Sequence, residues 1–213
     1  MNYDLHIHSK HSSDGYMDIK TILKKAEELK IDGVAITDHN EIEGSIKALE
    51  ISSNYEIEVI PGTEVETDKG DILALWVKEN IESHKAEEAI QEIHKKGGLA
   101  IAAHPFSSFY LGRVGVGEEA AALNFDAIEV YNSRNFSKMN KKALELAREN
   151  NCPVTAGSDA HFEEEIGLCL TTCEKDLRKS IEKGKTGTLA HKKSFIQSLN
   201  SVLKRGYKKI LRY

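Results

Sequence analysis

The chain has 213 residues, of which 40% are hydrophobic and 30% charged, and this composition is typical of one soluble globular domain with a buried core. The longest apolar run, residues 98–103, is far too short to cross a membrane, and the first residues lack the basic and then apolar pattern of a secretory signal, so we expect a cytoplasmic protein. Cys152, Cys169 and Cys173 show no Cys-x-x-Cys spacing, which argues against a disulfide framework and a thiolate zinc site.

The net charge of -5 is unevenly distributed along the chain. No acidic residue follows Glu182, while the stretch from Lys183 to Tyr213 contains nine Lys or Arg residues. This stretch is either a solvated helix face, which is the commoner explanation of a charge run, or a surface that attracts phosphate-bearing molecules.

Strand-like and helix-like patterns alternate along nearly the whole chain, which predicts βα units and a mostly parallel sheet. The predicted strands are residues 2–8, 33–37, 57–60, 72–77, 99–103, 127–131, 154–156 and 167–172. The predicted helices are residues 17–30, 42–52, 83–96, 137–150 and 176–183, with one more near the C-terminus, where Ile196, Leu199 and Leu203 have helical spacing. Residues 69–71 predict a hairpin turn, and residues 106–117 predict a long loop of the kind that is often functional.

Two short histidine motifs lie near opposite ends of the chain. Because side chains alternate along a strand, His6 and His8 are expected on one face, close enough to share a cation. Such a pair also occurs on ordinary wet strands, so it is a weak signal by itself. A similar pair, Asp159 and His161, follows Gly157. Two matching pairs this far apart in sequence require a fold that brings them together.

Five of the nine histidines lie where a predicted strand ends, beside carboxylates. In a βα barrel these ends form the face on which barrel enzymes build their sites. The residues at predicted strand ends are His6, His8, His39, Glu64, His104, Glu129, Asp159 and His161. Imidazole and carboxylate ligands without thiolates suit Zn²⁺, Mn²⁺ or Fe²⁺. Because one tetrahedral metal takes only about four ligands, we expect two or three divalent ions, an arrangement that favours hydrolysis of a phosphate ester.

Five motifs, in this order, resemble those of the PHP (polymerase and histidinol phosphatase) family of metal-dependent phosphoesterases. They are Asp4-Leu5-His6-Ile7-His8-Ser9 with Ser13-Asp14-Gly15, Ile36-Thr37-Asp38-His39, Pro61-Gly62-Thr63-Glu64, Ala103-His104-Pro105 and Gly157-Ser158-Asp159-Ala160-His161. The resemblance extends to about Gly184. It implies an α/β fold, a distorted (β/α)7 TIM-like barrel in residues 1–184. Residues 185–213 would then be a basic, helical C-terminal extension packed on or near the barrel.

The resemblance also implies which residues hold the metal ions. His6, His8, Glu64 and Asp159 would hold the first, and Glu64 would bridge to a second that also takes His104. Asp14, His39 and His161 would hold a third.

Relatives in the family often supply one more ligand, commonly a histidine, between the positions of Glu64 and His104. Here the candidates are Asp71, His84 and His94. We favour Asp71, because the two histidines lie on a predicted helix among Lys and Glu residues, as ordinary surface histidines do.

Other polar residues have candidate roles near the metal ions. Asp38 is expected either to orient or bridge groups near the metals and so to support catalysis, or to cap the following helix. Glu129 is expected to act as ligand or base, or simply to line the pocket. Arg113, in the long loop, and Arg134, after the strand of Glu129, are candidate phosphate contacts, because a guanidinium matches the geometry of phosphate oxygens. His161 or Asp159 would handle the proton.

These expectations combine into a metal-dependent phosphoesterase that hydrolyses a small phosphomonoester, such as a nucleotide or sugar phosphate, by means of metal-activated hydroxide. One alternative is a nuclease that acts on DNA or RNA ends, for which the basic C-terminal stretch is the supporting feature. Another is a non-catalytic metal-binding domain that serves a partner protein. No membrane partner is expected, and the sequence leaves the oligomeric state open.

Overall fold

The computed structural model describes residues 1–107 and 115–190. Arg113 and the predicted C-terminal helix therefore lie outside the described residues. The strands are β1 (Asn2–Ile7), β2 (Gly33–Ile36), β3 (Glu58–Glu66), β4 (Asp71–Leu75), β5 (Leu99–Ala102), β6 (Ala127–Asn132), β7 (Val154–Gly157), β8 (Cys169–Thr172) and β9 (Gly187–Ala190). The helices are α1 (Ile19–Glu28), α2 (Glu43–Ile51), α3 (Ala86–Lys95), α4 (Ser137–Glu149) and α5 (Leu177–Glu182).

The strands form one sheet in the order β7-β6-β5-β4-β3-β2-β1-β8-β9. Pairs β1–β2, β2–β3, β5–β6 and β6–β7 are parallel, and the other four pairs are antiparallel. The prediction of a mostly parallel sheet was therefore wrong for half of the strand pairs between described residues. The predicted hairpin is present, although its connection is residues 67–70 and Asp71 already belongs to β4. A connection this short can only reverse the chain, because a parallel pair needs a crossover.

The first and last strands of the run from β1 to β7 come together at their carboxyl ends. The backbone N–H of His8 donates to the carbonyl of Ala160 over 2.9 Å, and the N–H of Ala160 donates to the carbonyl of His6 over 3.3 Å. These bonds join the end of β1 to the segment that follows β7, so the sheet is nearly closed. The predicted α/β fold with a distorted barrel of the PHP type is confirmed.

Buried apolar residues occupy both faces of this sheet. Ile22 and Leu23 of α1 pack with Ile36 on the outer face, whereas Leu5 and Ile101 belong to a separate cluster that collects residues from six neighbouring strands. This second cluster fills the interior below the ends of the strands. Consequently the interior beyond it, at the carboxyl ends of the parallel strands, is available for polar residues.

The last strand, β9, was not predicted, because the four residues from Gly187 to Ala190 show no clear alternation of apolar and polar residues. It pairs with β8 in antiparallel orientation. The domain boundary at residue 184 stays a prediction. Within the described residues, no helix has both the length and the apolar character required to span a bilayer.

Candidate metal centre

The polar residues singled out in the sequence lie together at one end of the barrel. His6 is in β1 and His39 follows β2, while Glu64 is in β3 and Asp159 follows β7. Parallel strands bring their carboxyl ends to the same edge of a sheet. Strand β4 runs in the opposite direction, so it brings its first residue, Asp71, to this edge. The antiparallel hairpin therefore explains how a residue at the start of a strand reaches the pocket.

Glu64 is surrounded by histidines on two sides. Its Oε2 lies 3.1 Å from Nε2 of His6 and 3.2 Å from Nε2 of His8. Its Oε1 lies 2.9 Å from Nε2 of His104, and Oδ2 of Asp71 lies 3.9 Å from that same nitrogen. One oxygen of Glu64 thus faces one group of candidate ligands, and the other oxygen faces a second group. This is the arrangement that a bridging carboxylate requires.

A third group of candidate ligands surrounds Asp14. Its Oδ2 lies 2.6 Å from Nε2 of His161 and 3.7 Å from Nε2 of His39. The other ring nitrogen of His39 lies 3.4 Å from Oε2 of Glu64. Nε2 of His8 lies 3.5 Å from Oδ1 of Asp159, so His8 stands between the first and third groups.

The chemistry of these side chains fits divalent metal ions. Ligand atoms lie within 4.8 Å of one another in five sets of three, which are His6, His8 and Glu64; His6, His104 and Asp159; His8, Asp159 and His161; His8, Asp14 and His39; and Glu64, Asp71 and His104. Nε2 of His8 and Nδ1 of His39 are buried and make no hydrogen bond within the described part of the chain. Buried polar atoms normally have partners, and a nitrogen lone pair without one is suited to coordinate a cation.

The two alternative histidines lie elsewhere. His84 is exposed, and its Nδ1 lies 2.8 Å from the carbonyl oxygen of Glu66. Nε2 of His94 lies 2.8 Å from Oδ2 of Asp126, on the outer side of β5. Neither residue belongs to a set of candidate ligands among the described residues.

Burial and charge shift the protonation of these side chains. Burial opposes ionisation of both His6 and Glu64, yet their mutual attraction raises the pKa of His6 well above its usual value and lowers that of Glu64 well below its own. The pKa of His161 falls to about 4, because the ring is buried and lies beside the positive charge of Arg134. At neutral pH His161 is therefore an uncharged imidazole, which is the form that binds metals.

Glu129 supports the pocket from beneath. Its Oε1 lies 3.0 Å from Nδ1 of His6, and its Oε2 accepts hydrogen bonds from the backbone N–H of His104 and from Nδ2 of Asn132. The nitrogen of His6 that faces Glu129 is the one that points away from Glu64. A carboxylate in this position fixes the ring orientation and the tautomer of a metal-binding histidine. Of the alternatives expected for Glu129, these contacts fit a residue that lines the pocket and holds its neighbours in place by hydrogen bonds.

Asp38 connects β1 with β3 rather than capping a helix. Its side chain accepts hydrogen bonds from the backbone N–H and the hydroxyl of Ser9, over 2.6 and 2.7 Å. Its carbonyl accepts hydrogen bonds from the N–H of Glu64 and the hydroxyl of Thr63. The cap residue of α2 is Ile42, so the alternative of Asp38 as a helix cap was wrong, because the helix begins five residues after Asp38.

The structure adds two supporting residues that sequence reasoning missed. Oε2 of Glu165 accepts a hydrogen bond from the N–H of His161, and Nδ2 of Asn132 donates to Oδ2 of Asp159. Glu165 ends a run of three glutamates, which by itself indicates an exposed segment. Yet its side chain is 1% exposed, and only the packing reveals its role.

Arg134 enters the pocket beside the third group. Its Nη1 donates to Oδ1 of Asp159 over 3.2 Å and lies 2.8 Å from each ring nitrogen of His161. Its side chain is 10% exposed. The other candidate phosphate contact, Arg113, lies outside the described residues.

The fold and the pocket define an α/β barrel protein with a buried cluster of histidine and carboxylate side chains able to hold metal ions. The family model of the PHP domain matches residues 4–164. The chain therefore belongs to the PHP domain family, a family of metal-dependent phosphoesterases.

Three comparisons place the chain among known proteins. The Methanocaldococcus jannaschii protein MJ1587 is 34% identical over 169 residues, which cover 71% of this chain and 97% of that protein. The 5'-3' exoribonuclease Rnm of Salmonella typhimurium is 31% identical over 187 residues, which cover 87% of this chain but 55% of the exoribonuclease. A two-domain Bacteroides vulgatus protein that contains a predicted PHP-like metal-dependent phosphoesterase has a TM-score of 0.76 and 20% identity, over 90% of this chain and 65% of that one.

Proposed function

We propose that this protein hydrolyses small phosphomonoesters, such as nucleotide or sugar phosphates, with two or three divalent metal ions (Zn²⁺, Mn²⁺ or Fe²⁺). The observation that carries the proposal is the position of Glu64, whose two oxygens face separate groups of histidines. Membership of the PHP family supports the same reaction class. A cytoplasmic location is part of the same proposal.

The residues present fit the metal positions that the family resemblance implies. His6, His8, Glu64 and Asp159 would hold one ion; Glu64, Asp71 and His104 a second; and Asp14, His39 and His161 a third. When bound, such ions activate water and stabilise the charge that develops on phosphate oxygens. The third position is built on Asp14, which shares close contacts with both of its histidines.

The remaining residues would position the substrate and move the proton. The guanidinium of Arg134 is the described cationic side chain nearest to the candidate ligands, and it suits a phosphate group. His161 or Asp159 would handle the proton, and Asp159 holds the ring of His161 and the guanidinium of Arg134 together. Asp38 would act through Ser9 and the backbone of Glu64 to keep the pocket in shape.

A second candidate function is the processing of RNA ends. It is favoured by the 31% identity to a protein named as a 5'-3' exoribonuclease and by the positive charge near the C-terminus. The pocket chemistry would serve either substrate, because both reactions break a phosphate ester. Only measured substrate preference separates them.

The decisive experiment is a substrate panel with the purified full chain in Mn²⁺ or Zn²⁺. We expect release of inorganic phosphate from one or more small phosphomonoesters, loss of this activity in His6→Ala, and retention in His84→Ala, which removes an exposed histidine of the same type. Absence of activity on the whole panel, or full activity of His6→Ala, would overturn the proposal.

The nuclease alternative has its own arm in the same experiment. A 5'-phosphorylated oligoribonucleotide is incubated with the wild type and with a variant in which Lys204, Arg205, Lys208 and Lys209 are replaced by alanine. If RNA ends are the substrate, cleavage should fall in the variant and depend less on salt, because phosphate contacts release counterions. Equal loss of activity on small esters would count against a nucleic-acid role for these residues.

A further inference from the structure

Hydrogen bonds of the backbone at Arg134 and of its two preceding residues fix the turn that carries this side chain. The backbone N–H of Arg134 donates to Oδ1 of Asn132 over 3.0 Å, and the amide of Asn132 in turn donates to Asp159. The adjacent Ser133 hydroxyl donates to the carbonyl of Ser158. The turn after β6 is thereby fixed to the segment after β7, and the guanidinium is directed at Asp159 and His161. Arg134 is therefore a built part of the pocket and not a surface residue that happens to fold inward.

The guanidinium uses the same atoms that a cation would use. Oδ1 of Asp159 accepts from Nη1 of Arg134, and that oxygen also lies 3.5 Å from Nε2 of His8 and 3.5 Å from Nδ1 of His161. His8, Asp159 and His161 form one of the sets of candidate ligands. A metal–oxygen bond of about 2.1 Å would place a divalent ion on Asp159 within about 5 Å of Nη1, which is inside the screening length of about 8 Å.

Because the site is buried, the positive charges of Arg134 and of a nearby cation would repel each other strongly. Asp159 is 1% exposed and the side chain of Arg134 is 10% exposed, so water screens the two positive charges poorly. Nε of Arg134 is buried and makes no hydrogen bond within the described residues. The side chain thus has hydrogen-bonding capacity left for an anion while Nη1 holds Asp159.

We propose that Arg134 and the third divalent cation are alternative partners of His161, while Asp159, assigned to the first ion, holds the guanidinium beside that ring. A cation bound there displaces the guanidinium, which then becomes available to the phosphate of a substrate. Conversely, an anion that draws Arg134 away from Asp159 strengthens cation binding at this position. Since coupling between two ligands is reciprocal, the third cation and phosphate should bind cooperatively. The proposal rests on the metal positions of the proposed function.

The test measures cation binding by the full chain without any substrate. Mn²⁺ is titrated calorimetrically, and bound Mn²⁺ is counted after equilibrium dialysis. For the wild type we expect two tightly bound ions and a weaker third. In Arg134→Met the third ion should bind at least tenfold more tightly, while Arg148→Met, which removes an exposed arginine at the end of α4, should behave as the wild type.

Two further measurements keep the test decisive. Arg134→Gln, which lacks the charge but can still donate hydrogen bonds, should tighten the third site as well and covers the case in which Arg134→Met unfolds. Inorganic phosphate at fixed free Mn²⁺ should increase third-site occupancy in the wild type but not in Arg134→Met.

Three results would overturn the exchange of Arg134 for a cation. The third-site affinity could be equal in the wild type and in both neutral variants, or phosphate could weaken third-site binding. The third result is that the protein binds no Mn²⁺ at all. The proposed function is judged separately by phosphate release. If the wild type hydrolyses phosphomonoesters but the third-site affinity is the same in the wild type and the variants, the exchange alone is wrong. If Arg134→Met binds the third ion more tightly but the wild type hydrolyses nothing, the proposed reaction alone is wrong.

Discussion

Oε1 of Glu64 lies 2.9 Å from Nε2 of His104, although 40 residues separate them in the chain. The other oxygen of the same carboxylate faces His6 and His8. Each oxygen therefore belongs to a different group of histidines. Because both of its oxygens contact candidate ligands, the negative charge of Glu64 is the feature most sensitive to substitution.

Glu64→Gln should abolish tight binding at two metal positions, because the amide has the shape of the carboxylate without its charge. We expect phosphate release to fall about a hundredfold or more, since even residues that only support a metal ligand cost 10–100-fold. Metal content by mass spectrometry and steady-state kinetics check this together. Glu56→Gln, on the exposed surface, is the matched control and should change neither quantity.

Glu129→Gln tests a positioning role. The variant keeps an acceptor for the N–H of His104 but loses the negative charge beside Nδ1 of His6. We expect metal affinity to fall about 10–100-fold, with partial rescue of activity at high Mn²⁺. A drop in activity that excess Mn²⁺ does not relieve would instead indicate that Glu129 takes part in the reaction directly.

Gly157→Ala should damage the pocket by steric means alone. A Cβ at this position would lie 2.4 Å from Cβ of His6 and 2.9 Å from Oε1 of Glu129. Because these neighbours are held by the backbone and by buried hydrogen bonds, we expect a loss of roughly 1–3 kcal/mol of unfolding free energy and weaker metal binding. Thermal unfolding and Mn²⁺ titration measure the two effects. Wild-type values for both would contradict the close approach of β1 and β7.

Asp4 should make stability depend on pH in a defined direction. Burial raises its pKa from 3.8 to about 6, although backbone N–H groups of Ser158 and Gly167 donate to it. The folded state therefore keeps this proton at pH values where the unfolded chain has released it. The stabilisation is complete below pH 4 and is lost as the pH rises through about 6.

The measurement compares the wild type with Asp4→Asn in a chelating buffer. Between pH 4 and pH 7 the unfolding free energy of the wild type should fall by roughly 2.5 kcal/mol relative to the variant, because most of the shift in the pKa of Asp4 lies within this range. A difference that does not change with pH would show that folding does not raise the pKa of Asp4.

Sequence patterns could predict where the candidate ligands lie, but they could not predict the groups that support them. His6, Glu64 and Asp159 stand in short motifs at strand ends, and strand ends of a barrel converge. Glu165 and Asn132 stand in segments that look like exposed loop, and they act only through hydrogen bonds set by tertiary packing. No local pattern reports such contacts.

Local sequence patterns also could not predict the direction of each strand in the sheet. Hydrophobic alternation identifies a strand but is the same in parallel and antiparallel neighbours. The turn at residues 69–71 was recognised, yet its consequence, that Asp71 at the start of β4 faces the pocket, follows only from the sheet. The metal-ligand roles of these residues stay proposals.

The closure of the barrel between His8 and Ala160 carries a consequence for folding. Candidate ligands come from the first strand and from the segment after the seventh, with nearly the whole described chain between them. A cation cannot recruit them locally, so the intact site exists only after β1 and the segment that follows β7 have come together. Bound metal ions would then stabilise the contact between β1 and the segment after β7. Slow exchange of the amide hydrogens of His8 and Ala160 would show that this contact is formed.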